Sequence, residues 1–144
     1  MDPRDFHHLA LQLAQSTDAA ELRTAISRAY YATYHVGVAL LETMGFRLSR
    51  GPAGHGEVRN RLSNSGDPEV MRVGHQLGYL QSQRIAADYR LDNTNIENPK
   101  TAQAIVQQAR RMIQTLDGCF AEPKRSHMRR AIQAWEQSIA GTSR

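Results

Sequence analysis

The stretch "STDAAELRTAISRAYYATYHVGVALLETMG", residues 16–45, decides the fold. It opens on the cap-type residues Ser16, Thr17 and Asp18, carries Glu21 three positions after Asp18 in the manner of a capping box, and closes on Gly45. Between those ends Leu22, Ile26, Ala29, Thr33, Val36 and Leu40 recur at alternating steps of four and three, which is one apolar stripe along a helix. The spacing predicts a single long helix over 18–44 with that stripe turned toward a core.

The flanks read as further helices. Before residue 16, Phe6, Leu9, Ala10 and Leu13 share one face of a short helix. After residue 45, three glycines and a proline among basic residues predict a loop over 47–56 that holds His55, followed by a short helix over 56–62. Asp67 as cap and Pro68 at the first helical position start a helix that reaches Tyr89 or Leu91. Pro99 starts another, with Ala102, Ile105, Val106, Ala109, Met112, Ile113 and Leu116 as a wide apolar face. Beyond Pro123, Met128, Ile132, Trp135 and Ile139 form a narrower stripe on a last helix, able to dock on the bundle or on a partner. No useful β-alternation, repeat or low-complexity segment interrupts the series. The expected class is all-α, an up-and-down bundle of four to five helices in one domain spanning 1–144, with 124–144 as a basic helix and tail.

Composition narrows the function. A chain of 144 residues builds one sizeable core, not two. No apolar run approaches the roughly 20 residues of a membrane span and no secretory segment opens the chain, so a cytoplasmic protein with no membrane contact is expected. The single cysteine, Cys119, rules out an intrachain disulfide and a cysteine-based zinc cluster. The formal charge of +4 is carried entirely by residues 124–144, where Lys124, Arg125, Arg129, Arg130 and Arg144 face only Glu136. A basic end on a neutral body suits a local contact patch for phosphate or an acidic partner, and equally suits a solvated helix end.

Two constellations carry chemistry. Arg28 and His35 are seven apart, so they share a helix face at a separation of about 10 Å along the axis, with Tyr31 between them. Arginine, histidine and phenol on one face can serve a phosphodiester, since imidazole moves protons near neutral pH and guanidinium stabilises added negative charge. They can equally form a polar seam of hydrogen-bonded tyrosines between helices. Arg84 is the next member of the apolar series Val70, Val73, Leu77 and Leu80, so the pattern points a guanidinium inward. It then requires an anion or carbonyls, and Asp88, one turn on, is a candidate partner, either as a structural ion pair or as part of a site. The other histidines lack metal-ligand spacing, and "RGPAGHGE" lacks the ending of a P-loop, so no metal or other cofactor is expected.

The run "SRAYYATYHVGVALLETMG", the glycine-rich "GPAGHGEV" and the later "RIAADY" together resemble the HEPN family, the helical domains named for higher eukaryotes and prokaryotes nucleotide-binding. The resemblance covers roughly residues 18–89 and the following helix. It implies a homodimeric four- to five-helix bundle. It also implies an RNA-directed role, since many members are metal-independent endoribonucleases of toxin-antitoxin, anti-phage or CRISPR-associated systems. Their usual motif is an arginine followed by a histidine after four to six residues. Arg28 and His35 fit that interval, whereas on the later helix Arg84 is followed at it by Tyr89, a phenol titrating near ~10. Read through the resemblance, Arg28, His35 and Arg84 are the candidate catalytic residues; Tyr31, Asp88, Tyr89, His55, Lys124, Arg125, Arg129 and Arg130 are candidates for binding substrate. A catalytically silent module that binds nucleotide or RNA, or partners a nucleotidyltransferase or another effector, is the alternative, as is a plain helical interaction subunit.

Overall fold

Six α-helices and one 3₁₀ turn make up the chain in the computed structural model, which describes residues 1–142. They are α1 (Arg4–Leu13), α2 (Ala19–Thr43), α3 (Ala53–Ser63), α4 (Pro68–Tyr89), the 3₁₀ turn (Thr94–Glu97), α5 (Pro99–Asp117) and α6 (Lys124–Thr142). Arg144, counted above in the basic end, lies outside the described residues. The all-α class is as expected, with one helix more than the upper expectation.

Local chemistry starts α2, α4 and α5. The Asp18 carboxylate accepts from the Glu21 N–H at 3.0 Å, Asp67 accepts from Glu69 and Val70 ahead of Pro68, and Asn98 accepts from Lys100 ahead of Pro99. Each satisfies donors that the first helical turn leaves unpaired. Gly45, at φ 90°, ends the α2 segment in a conformation that favours glycine.

Side-chain pairings fix the direction of the helices. Arg4 at the start of α1 pairs with Asp117 at the end of α5, while Gln103 near the start of α5 donates to the carbonyl of Ala14 after α1, so α1 and α5 run antiparallel. Arg23 near the start of α2 reaches Ala86 and Ala87 near the end of α4, so those two are antiparallel as well. Helix α3 lies along α4 with Arg59 donating to Gln81 at 3.0 Å. Helix α6 is tied down at Lys124–Asp67, 3.6 Å, and Arg61–Glu136, 2.8 Å.

The core surrounds α2. Leu22, Ile26, Ala29, Thr33, Val36 and Leu40 are all fully buried, as the stripe predicts, but so are Ala25, Tyr30, Ala32 and Leu41. A helix covered on several sides is the centre of a bundle and not one of its walls. The α5 face from Ala102 to Leu116 is buried residue for residue.

Two expectations change, for α1 and for the segment 53–55, and one open alternative, for α6, is decided. On α1 the buried residues are His7 and Ala10, followed by Ala14, while Leu9 is 41% exposed. His7 takes the inward place because its Nε2–H donates to the Val106 carbonyl at 3.0 Å, which satisfies a polar ring in the core. The segment 53–55 is helical and not loop, because Gly54 lets the chain close against Ser49 and Tyr34 where a side chain would collide. On α6, Met128 and Ile132 are fully buried in the chain's own core, so that part of the stripe docks on the bundle.

Candidate functional site

One ridge of α2 runs Arg28, Tyr31, His35, at steps of three and four, and the ring of Tyr31 is its hub. The Arg28 guanidinium carbon lies 5.1 Å from the Tyr31 centroid and 4.9 Å from that of Phe6 on α1, so it is held between two rings. His35 stacks on Tyr31 at 6.2 Å. From α4 comes Arg84, 5.3 Å from Tyr31 and 5.5 Å from Tyr30. Two guanidinium groups thus attend one phenol ring, drawn by its π-electrons.

Arg84 is inward, as its register predicts, with 11% of its side chain exposed. Its Nε is buried and has no hydrogen-bond partner among the described residues. Asp88 stands 3.7 Å away, an ion-pair distance but beyond hydrogen-bond reach. The Asp88 carboxylate instead accepts from the Ser27 hydroxyl at 3.1 Å, and that hydroxyl oxygen accepts from Arg28 at 3.5 Å. A chain of polar contacts therefore joins Arg28, Ser27, Asp88 and Arg84. Among the described residues no carboxylate pairs directly with Arg28.

The first turn of α3 adds His55. Its ring stacks on Tyr34 at 4.5 Å and on Tyr30 at 5.6 Å. Burial pushes the Tyr30 phenol well above its usual range, which keeps it protonated, and its O–H donates to His55 Nδ1. The ring proton of His55 then sits on Nε2. Burial, then the positive charge of Arg84, holds the His55 pKa below its ordinary value. His35 is likewise held low, by partial desolvation and then by Arg28. Both imidazoles are neutral at pH 7, and His35, exposed to solvent, is open to a ligand.

Arg28, Tyr31, His35, His55, Arg84 and Asp88 therefore come together. Tyr89 does not: it is 73% exposed on the last residue of α4. The basic residues of α6 do not either. Lys124 pairs with Asp67 at the start of α4, about 25 Å of helix from Arg84, Arg125 pairs with Glu122 at 3.1 Å, and Arg129 and Arg130 are exposed farther along α6. No group of three metal-ligating side chains is present among the described residues, and no described helix is long and apolar enough to cross a membrane.

Sequence reasoning missed Arg23. It is 7% exposed; its Nε donates to Glu97 at 2.8 Å, and its terminal nitrogens donate to the carbonyls of Ala86, Ala87, Arg90, Leu91 and Asn93. One guanidinium thus closes the C-terminal end of α4 and fixes the turn that carries Asp88. The available signal was its position one turn before Ser27 on α2, the helix that also carries Arg28. Phe6 and Ser27 were missed for a simpler reason, that neither residue type advertises a site.

Two hollows meet at His35. One, of about 270 Å³, lies between α1 and α2, and the other, of about 230 Å³, lies between α2 and the segment 48–50. His35, Val38 and Glu42 form the wall between them. In comparisons with known proteins, no family model, no curated protein and no solved structure matches the chain.

Proposed function

We propose that this chain is a HEPN-type RNA-directed protein that holds a phosphodiester at the Arg28–Arg84 seam and cleaves it by proton transfer at His35. The observation that carries the reading is the pair of guanidinium groups on Tyr31, one without a direct carboxylate and the other with a buried Nε left unpaired. Two cations so placed call for an anion, and a bridging phosphate oxygen would satisfy donors that the protein leaves open. The neutral imidazole of His35 accepts the proton of a ribose 2′-hydroxyl. The 2′-oxygen bonds to phosphorus as the bond to the 5′-oxygen breaks, the guanidinium groups stabilise the added charge, and the imidazolium returns the proton to the leaving oxygen. The products are a 2′,3′-cyclic phosphate and a 5′-hydroxyl. The resemblance supplies the rest: metal independence, a homodimer, and a toxin-antitoxin, anti-phage or CRISPR-associated setting.

Incubation of structured RNA with the protein in EDTA, followed by end-group analysis, tests this. Cyclic phosphate ends should form, and His35→Ala should lower the rate by about 10²–10⁴-fold with an unchanged melting temperature, because the ring is exposed. Cleavage undiminished in His35→Ala would remove the proposed role. The rate of the wild type should fall on acidification below pH 6.5, as the imidazole that must accept a proton becomes occupied.

One observation favours a second reading. Tyr89 occupies the interval at which the family places its histidine on the later helix, and it stands outside the seam. In that reading the seam binds RNA or nucleotide without turnover, or serves a nucleotidyltransferase partner. Binding that depends on Arg28 with no cyclic phosphate product would select it.

A further inference from the structure

We propose that the hollow between α1 and α2 is a nucleobase pocket that selects guanine through Glu42, an assignment that rests on the phosphodiester reading above. The α2 ridge that carries Arg28, Tyr31 and His35 continues at the same steps through Val38 to Glu42. Beside it the hollow is walled by Phe6 of α1, by Met1 and Pro3 ahead of that helix, and by His35, Val38 and Ala39 of α2, with Glu42 as its one carboxylate. Phe6 joins the two parts, since its ring lies under the Arg28 guanidinium and 6.4 Å from the His35 ring.

Largely apolar walls with the flat His35 ring and one carboxylate suit a planar base whose faces pack and whose edge is read by hydrogen bonds. The volume of about 270 Å³ has room for one base. Glu42 lies two turns beyond His35, about 10 Å along the axis, a span like that from a phosphate to the far edge of its purine. Among the described residues the Glu42 side chain makes no ion pair or side-chain hydrogen bond, although a bare carboxylate in a phosphate-binding cleft repels its ligand. A base that donates to it removes that cost. A carboxylate only accepts. Guanine alone presents two adjacent donors, N1–H and the N2 amino group, on its Watson–Crick edge. Adenine and cytosine set a ring acceptor beside their amino group, and uracil flanks its one donor with two carbonyls, so each of these meets the carboxylate with a repulsive atom.

The test is equilibrium binding of RNA pentamers, A-A-N-A-A with N any of the four bases, carrying 2′-O-methyl groups so that cleavage cannot occur. The guanine pentamer should bind about tenfold tighter than the other three, toward the low end of what a bidentate base contact contributes. Glu42→Gln, on an exposed position, should bring it down to their level. Ala39→Phe, checked for folding by circular dichroism, should fill the hollow and likewise erase the preference. Equal wild-type affinity for all four pentamers, with binding lost in Arg28→Ala, would overturn the guanine pocket and leave the phosphate seam standing. A guanine preference retained in Glu42→Gln would also overturn it. No pentamer binding, or binding indifferent to Arg28→Ala, would overturn both.

Discussion

Arg23 and Arg84 enter the same end of the bundle and meet opposite fates. Arg23, from α2, places its donors on five carbonyls and one carboxylate. Arg84, one turn before the end that Arg23 closes, rests on two tyrosine rings, has its nearest carboxylate at 3.7 Å, and keeps a buried Nε unpaired. A buried guanidinium is costly unless its donors are met. The first residue meets them within the fold and is an element of structure. The second keeps one of them, its buried Nε, without a partner in the fold, and the phosphate contact proposed above rests on that difference.

Four substitutions or conditions press on this contrast. Arg23→Ala should destabilise the protein by about 3 kcal/mol, as it strands Glu97 and several carbonyls, and chemical denaturation would measure it. A loss near zero would mean that water replaces the clamp. Gly54→Ala should cost about 2 kcal/mol, since the new Cβ would lie 2.6 Å from the Tyr34 hydroxyl and closer still to the Ser49 carbonyl. It should also release His55 from Tyr30, visible as a change in the His55 ring resonances.

Acid should weaken the fold gradually. His7, His35 and His55 all have pKa values depressed from 6.5, in each case first by desolvation. Below pH 6.5 the unfolded chain binds more protons than the folded one, so stability is fully present above that pH and is lost as the pH falls through the folded values. A melting temperature that is flat from pH 7 to 5 would contradict the desolvation of His7 and His55, the two less exposed of these rings. The smallest effect on stability belongs to Arg84→Met, within about 1 kcal/mol, because two cation–π contacts go but an unpaired donor goes with them. The same variant should bind RNA at least tenfold more weakly. If it instead destabilises as much as Arg23→Ala, Arg84 is a structural residue and the seam loses half of its claim.

Periodicity made most of the fold legible. The α2 stripe, the α5 face and the inward register of Arg84 follow directly from steps of three and four, because helix geometry repeats regardless of context. What periodicity could not convey was position within the bundle: α2 is covered on several sides, which a single stripe does not announce. His55 was read as a loop residue because three glycines and a proline signal a break, whereas Gly54 is there for close approach and helix begins at Ala53. Arg28, Tyr31 and His35 were found together because one helix carries them. Arg23 was missed because its partners are carbonyls more than 60 residues away, and backbone oxygens leave no trace in composition.

The only tryptophan of the chain, Trp135, lies on α6 and shares a hollow with Glu57 and Arg61 of α3. Indole emission therefore comes from one place in the fold, where α6 docks on α3. Quenching of Trp135 by iodide during denaturation, followed beside circular dichroism at 222 nm, would show whether α6 leaves the bundle before the rest of the protein unfolds.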